Sequence, residues 1–219
     1  MLATFAFLDL AGFTALTETH GDEAAASLVE RFAELVGVAV ADDARLVSLV
    51  GDGAFVVAET PARALRVLQR LLQHLDEERD FPMLRAGLHE GEAASRGDQF
   101  YGNAVNVAAR IAGYAGGGQV LCSDTIVAAA RAAGVRVRAL GRVGLKNLRE
   151  PLELYSLEMA SGTRADPLDP VCRMRVARDS AIRLEAEGRE HWFCSRQCLR
   201  VFLQEGGSPD RGGRPPGGA

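Results

Sequence analysis

The chain has 219 residues, 47% of them apolar and 25% charged, with a net charge of −4, which leaves room for one large core and a small second module. That balance provides no broad basic field, which argues against nucleic acid or an anionic membrane as a main partner. No apolar run approaches the ~20 residues of a membrane span. The opening "MLATFAFLDLAGFT" has no basic leader and carries Asp9 within its apolar run, so it reads as a strand of a cytoplasmic protein, not a signal peptide.

In chain order, "ATFAFLDL" predicts a buried strand ending near Leu10. A helix is expected over roughly residues 22–41, with Leu28, Phe32, Leu35 and Val36 at helical spacing. "RLVSLVGDGAFVVA" predicts a hairpin, because Asp-Gly between apolar runs tolerates the positive φ of a tight turn. The next segment predicts a helix with Pro61 in its first turn and Leu65, Leu68, Leu72 and Leu75 on one stripe. "MLRAGLHEGEA" reads as a strand, residues 95–99 as a polar loop, and "GNAVNVAARIAGYAGGG" as a helix stopped by glycines. "QVLCS", "VRVRAL" and "LELYSLEM" are further strands, with a helix over "DTIVAAARAAG". Strands and helices interleave, which predicts an α/β or α+β sandwich with helices over one sheet.

Composition changes after Met159. "ASGTRADPLDP" reads as a linker and "GGSPDRGGRPPGGA" as a disordered tail. Between them a short module carries Cys172, Cys194 and Cys198, while Cys122 reads as core. The expected organisation is a first domain over 1–160, a linker over 161–168, a second domain over 169–205 and a tail over 206–219.

Two acidic residues point to chemistry. Asp9 ends an apolar strand, where a charge is unfavourable unless it is paired, coordinated or capping a turn. If that strand lies beside the hairpin, Asp9 and Asp52 reach one sheet edge, where two carboxylates repel unless divalent cations sit between them. The amides of residues 11–14, in a glycine-containing turn before a helix, suit phosphate oxygens. Asn106 and Arg110 stand at i, i+4 on an otherwise small and apolar helix, and Arg suits charge on a transferring phosphate. Each feature alone also reads as plain structure: a turn, a cap, a solvated helix face. Together they describe phosphoryl or nucleotidyl transfer.

"FAFLDLAGFTAL", "VGDGAFVVA", "LRAGLHEGEA", "FYGNAVNVAARIAGYAGGGQVLCSD" and "LGRVGLKNLREPLELYSL" together resemble the class III adenylate/guanylate cyclase catalytic domain. The resemblance covers about residues 2–158. It implies an α+β fold, a ferredoxin-like palm, working as a head-to-tail homodimer with active sites at the interface. It also implies a nucleoside triphosphate substrate and two Mg²⁺ or Mn²⁺ ions per site. By this resemblance Asp9 and Asp52 match the metal-binding aspartates, with the Leu10 carbonyl as a further ligand. Ala11, Gly12, Phe13 and Thr14 match the phosphate-binding turn. Asn106 matches the ribose-orienting asparagine and Arg110 the arginine that stabilises the transition state. Lys146, the only lysine of the chain, stands where a basic residue meets the terminal phosphates.

The chain departs from that pattern where the base is selected. Ser48 replaces the usual lysine, and Gln99 the usual Asp or Thr. Serine and glutamine both donate and accept hydrogen bonds, so base discrimination is expected to weaken while the chemistry is retained. The expectation is a cyclase acting on ATP, with GTP as the other candidate. The competing expectation is a catalytically inactive cyclase-like dimer that binds nucleotide or metal.

In the short module, "DPVCRMRV" places Cys172 in a Pro-containing turn, and "FCSRQCLRVF" places Cys194 and Cys198 four apart at a strand-to-helix junction. Thiolates so placed suit a soft cation such as Zn²⁺ or Cu⁺, and metal would help so small a module fold. These residues resemble the YHS domain of heavy-metal-handling proteins, which implies a metal- or redox-sensing role. Arg173 stands where that domain has glycine. His191 is either a fourth ligand or an ordinary strand residue, and Met174 is a core residue or a thioether ligand.

Overall fold

The first apolar run becomes an inner strand of the sheet. The computed structural model describes residues 1–159, 166–186 and 188–204; the expected tail and all but the end of the expected linker lie outside them. Strand β1 (Leu2–Leu10) is followed by a short helix α1 (Phe13–His20) and a long one, α2 (Asp22–Val40). Strands β2 (Ala44–Val50) and β3 (Gly53–Ala58) form the expected hairpin. Its two-residue tip is Gly51-Asp52, with the positive φ of 55° taken by Gly51. Helix α3 (Pro61–Glu77) starts with Pro61 in its first turn and Thr60 accepting the Arg63 amide, as the residue types require. Its buried stripe runs through Leu65, Leu68, Leu71 and Leu75, with Leu72 at the margin of the core.

Strand β4 (Leu84–Glu92) leads into a small hairpin, β5 (Ala94–Arg96) and β6 (Gln99–Tyr101), where the sequence reads as loop. Then come α4 (Asn103–Tyr114), β7 (Val120–Ser123), α5 (Asp124–Ala132), β8 (Arg136–Val143) and β9 (Leu152–Glu158). The seven strands are ordered β2-β3-β1-β4-β7-β9-β8. The final segment holds β10 (Ile182–Ala186), β11 (Arg189–Phe193) and α6 (Arg196–Gln204).

Side chains alternate across β1 with a period of two. Ala6, Leu8 and Leu10 enter the core under α2 and α3, while Ala3, Phe5 and Phe7 meet the other face, where α4 lies. Helix α4 sits unusually close to the sheet. An added Cβ at Gly87 would lie 2.1 Å from the Ala112 nitrogen, so the approach needs a residue without one.

The cysteine-bearing segment shares a core with the first part of the chain. Leu16 of α1 and Ala25 of α2 pack with Cys172, Met174, Phe193, Cys198 and Phe202. Arg175 adds an ion pair to Asp76 at 2.7 Å, and Pro82 bridges to Met174.

Candidate active site

Asp9 follows Phe7 on the α4 face of the sheet by the alternation of β1. Its strand neighbours are Gly53 on one side and Arg85 on the other. Arg85 forms an ion pair with Asp9, its Nε donating to Oδ2 at 2.5 Å. Asp52 arrives from the hairpin tip, whose carbonyl accepts the Leu10 amide at 3.2 Å and so ties the tip to the end of β1. Both carboxyls are half-buried and close enough for a hydrogen bond between them. Burial first, and then the charge of Asp9, push Asp52 up to about 6. The geometry thus delivers the paired carboxylates expected at one sheet edge. Arg85 is a partner that no motif singled out.

The folded protein holds the Asp52 proton more tightly than the unfolded chain, so ionising it opposes folding. That penalty is absent below about pH 4 and complete above about pH 6. With chelator present, Asp52→Asn should therefore raise the melting temperature at pH 7.5 by about 2–4 °C, equivalent to roughly 1 kcal/mol after solvent screening. The gain should shrink toward pH 4.5, and calorimetry at the two pH values checks both.

The turn after β1 opens α1 without a side-chain cap, with Gly12 at φ 78°. The Ala11 amide donates to the Met83 carbonyl at 2.8 Å, which leaves Gly12, Phe13 and Thr14 to supply the donors at the helix start. A Cβ on Gly12 would lie 2.8 Å from the Cβ of Arg173 and 3.1 Å from the Cys172 carbonyl oxygen. Arg173 itself has φ 61°, the left-handed conformation that glycine would take without strain.

A cavity of about 280 Å³ lies between the hairpin and α4, with Asp9, Ser48, Phe7, Phe55, Ala109 and Gly113 in its wall. Phe7 and Phe55 stack with centroids 4.5 Å apart. The remaining candidates do not join Asp9 within the chain. Asn106 and Arg110 are exposed on α4, Gln99 is exposed on β6, and Lys146 is exposed in the loop between β8 and β9. Pairing register explains why Gln99 and Lys146 lie apart from Asp9. Asp9 lies beside Arg85 near the start of β4, while Leu2 pairs with Glu92 at its end. The Gln99 hairpin follows Glu92, and the Lys146 loop opens at the same end, since Leu154 pairs with Ser123 at the end of β7. From Arg85 to Glu92 the sheet runs roughly 20 Å.

The three clustered cysteines converge. Cys172 Sγ lies 3.6 Å from Cys194 Sγ, which lies 3.5 Å from Cys198 Sγ. Cys194 and Cys198 stand where β11 passes into α6, as expected. The buried Asp169 carboxylate accepts the amides of Val171, Cys172 and Cys194 and so holds both cysteine loops. His191 packs on the Phe202 ring instead. The imidazole that reaches the cluster is His20 of α1, its Nε2 3.4 Å from Cys194 Sγ and 3.5 Å from Cys198 Sγ.

A family profile, Adenylate and Guanylate cyclase catalytic domain, matches residues 2–159. A pH-sensitive adenylate cyclase of Mycobacterium tuberculosis is 37% identical over 123 residues, 56% of this chain and 31% of that protein. An adenylate cyclase of Glutamicibacter nicotianae is 36% identical over 126 residues, 56% of this chain and 30% of that one. The chain thus matches less than a third of the length of either relative. Among solved structures, an adenylate cyclase of Trypanosoma brucei in its monomeric state superposes with a TM-score of 0.68 at 22% identity, covering 81% of this chain and 94% of that one. A likeness at that identity speaks for the fold, a mixed α+β cyclase palm.

Proposed function

The chain belongs to the family of adenylate and guanylate cyclase catalytic domains, and from that premise we propose that it converts ATP, or less readily GTP, into the 3′,5′-cyclic nucleotide and pyrophosphate. The observation that carries the reading is the pair of carboxylates, Asp9 and Asp52, at the end of β1 beside the open start of α1. Two carboxylates and the Leu10 carbonyl form an all-oxygen set suited to hard divalent cations, Mg²⁺ or Mn²⁺. Part of the rise in the proton affinity of Asp52 comes from the neighbouring Asp9 carboxylate, a repulsion that a cation between the two would relieve. Two such ions, when bound, neutralise the triphosphate and acidify the ribose 3′-hydroxyl.

The chain's own groups do the rest. Asp9 and Asp52 hold the ions, and the amides of Gly12, Phe13 and Thr14 receive phosphate oxygens. Asn106 orients the ribose. Arg110 stabilises the charge that grows on the α-phosphate as the bond from O3′ to that phosphorus forms and the bridge to the β-phosphate breaks. The hydroxyl proton passes to solvent, and pyrophosphate carries away the electron pair of the broken bond. Lys146 steadies the terminal phosphates, while Ser48 and Gln99 face the base.

We place the active sites at the interface of a head-to-tail homodimer. One end of the sheet carries Asp9, Asp52 and the Gly12 turn, and the other carries Gln99 and Lys146. A two-fold axis perpendicular to the strands brings the two sets together twice. Exposed apolar side chains at both ends, Val50 and Tyr101, support that interface. No helix among the described residues is long and apolar enough to cross a membrane, in keeping with the cytoplasmic location we assign. The cysteine-bearing segment is read as a YHS-like sensor of metal or redox state.

One other reading has specific support. Ser48 and Gln99 at the base-selecting positions, and Arg85 bonded to Asp9, also suit an inactive dimer that binds nucleotide. Purified protein incubated with Mn²⁺ and ATP or GTP, with products identified by mass spectrometry, separates the two. Cyclic product that disappears in Asp52→Ala supports the cyclase; no product from either nucleotide by a folded dimer overturns it.

A further inference from the structure

His20, Cys172, Cys194 and Cys198 bring four ligand atoms within 4.8 Å of one another. The neighbouring contacts of 3.4–3.6 Å are near the edges of a tetrahedron around zinc. A zinc–sulfur bond of ~2.3 Å places two sulfurs about 3.8 Å apart, and a sulfur and an imidazole nitrogen slightly closer. They are far from the ~2.05 Å of a disulfide. Three thiols and one imidazole complete a closed four-coordinate set with no position left open, the pattern of a structural zinc centre. Asp169 bonds the backbone on both cysteine loops, so the ligand-bearing loops are already held in place.

One ligand comes from the other side of the fold. His20 is the last residue of α1, and Gly12, at the opposite end of that helix, opens the phosphate-binding turn. The cysteine-bearing segment reaches both ends: the sulfurs meet His20, while Arg173 and the Cys172 carbonyl fill the space where a side chain on Gly12 would lie. Leu16, midway, packs in the shared core. Both ends of the eight-residue helix thus lie against the same segment.

We propose that these four residues form a Zn²⁺ site that bridges the cysteine-bearing segment and the catalytic fold, and that its occupancy sets the order of α1 and of the turn at Gly12–Thr14. The site needs only the four ligands; its consequence for nucleotide binding rests on the cyclase reading.

The test uses the full chain, stripped of metal under reducing conditions and titrated with Co²⁺ as the probe, with excess Mg²⁺ holding the carboxylates. One equivalent should bind with the intense visible bands of tetrahedral, thiolate-ligated Co²⁺, and Zn²⁺ should displace it. His20→Asn should lower the affinity by at least about 10–100-fold and alter the bands, and His20→Cys should restore tight binding with a four-thiolate spectrum. Hydrogen exchange should slow across residues 12–20 when Zn²⁺ is added to wild type, and not in His20→Asn. An unchanged spectrum and affinity in His20→Asn, a six-coordinate spectrum, no binding, or no protection of α1 would each overturn the proposal. None of these readouts depends on turnover. Zinc bound through His20 in a protein that makes no cyclic nucleotide would sink the cyclase reading and leave the site standing.

Discussion

Mixing two inactive proteins, Asp52→Ala and Arg110→Ala, should restore about a quarter of wild-type cyclase activity. Each substitution alone should lower turnover by at least about 10²–10³-fold, the first through loss of a carboxylate proposed to hold metal and the second through loss of the guanidinium proposed to stabilise charge on the α-phosphate. Complementation follows from where the two residues sit. Asp52 tops the β2–β3 hairpin, whereas Arg110 is exposed on α4, outside the wall of the cavity that holds Asp9. If every site draws on both chains, a mixed dimer has one site with both lesions and one with neither. Half of randomly paired dimers are mixed, and each has half its sites intact, which gives the quarter. Cyclic product measured against mixing ratio checks it. A linear sum of two null activities at every ratio would place each site within a single chain.

Gly87→Ala should be the most damaging small substitution in the sheet. The new methyl would sit 2.1 Å from the Ala112 nitrogen, 2.6 Å from its Cα and 2.7 Å from the Ala108 carbonyl oxygen. These are backbone atoms of α4, so no side chain can rotate away, and the whole helix must lift from the sheet. Overpacking of this kind costs at least about 3 kcal/mol, a drop of roughly 6–12 °C in melting temperature for a chain of this size. Activity should fall with it, because α4 carries Asn106 and Arg110. Gly113→Ala, on the same helix with open space around the added carbon, is the control that should leave the melting temperature nearly unchanged. Equal melting temperatures for Gly87→Ala and wild type would show that the helix accommodates the methyl.

Features written in local spacing were legible in the sequence. The strand over β1, the hairpin with Asp52 at its tip, and the helix with Asn106 and Arg110 at i, i+4 all follow from neighbours a few residues apart. The meeting of Asp9 with Asp52 needed one further assumption, that β1 lies beside the hairpin, and the register of Asp9 against Gly53 supplies it. Arg85 and His20 escaped because their partners are distant in the chain. Arg85 faces Asp9 across a strand pair 76 residues away, and His20 meets a cysteine 174 residues later. A histidine that ends a helix after "TALTET" carries no ligand signature of its own, whereas His191, close to the cysteines in sequence, turned out to pack on Phe202. The β5–β6 hairpin was hidden by its polar composition, since both strands are largely exposed.

The shared core around Leu16 also bears on how the protein comes off the ribosome. The first 159 residues contain every strand of the large sheet, so that sheet can assemble while the rest is still being translated. Its helix α1, however, waits for Phe193, Cys198 and Phe202 to cover it. At about 5–20 residues per second, that face stays bare for a few seconds in every molecule made. Synthesis and maturation are therefore separate events: the large sheet is built first, and the helix after its first strand is seated only once the cysteine-bearing segment has emerged.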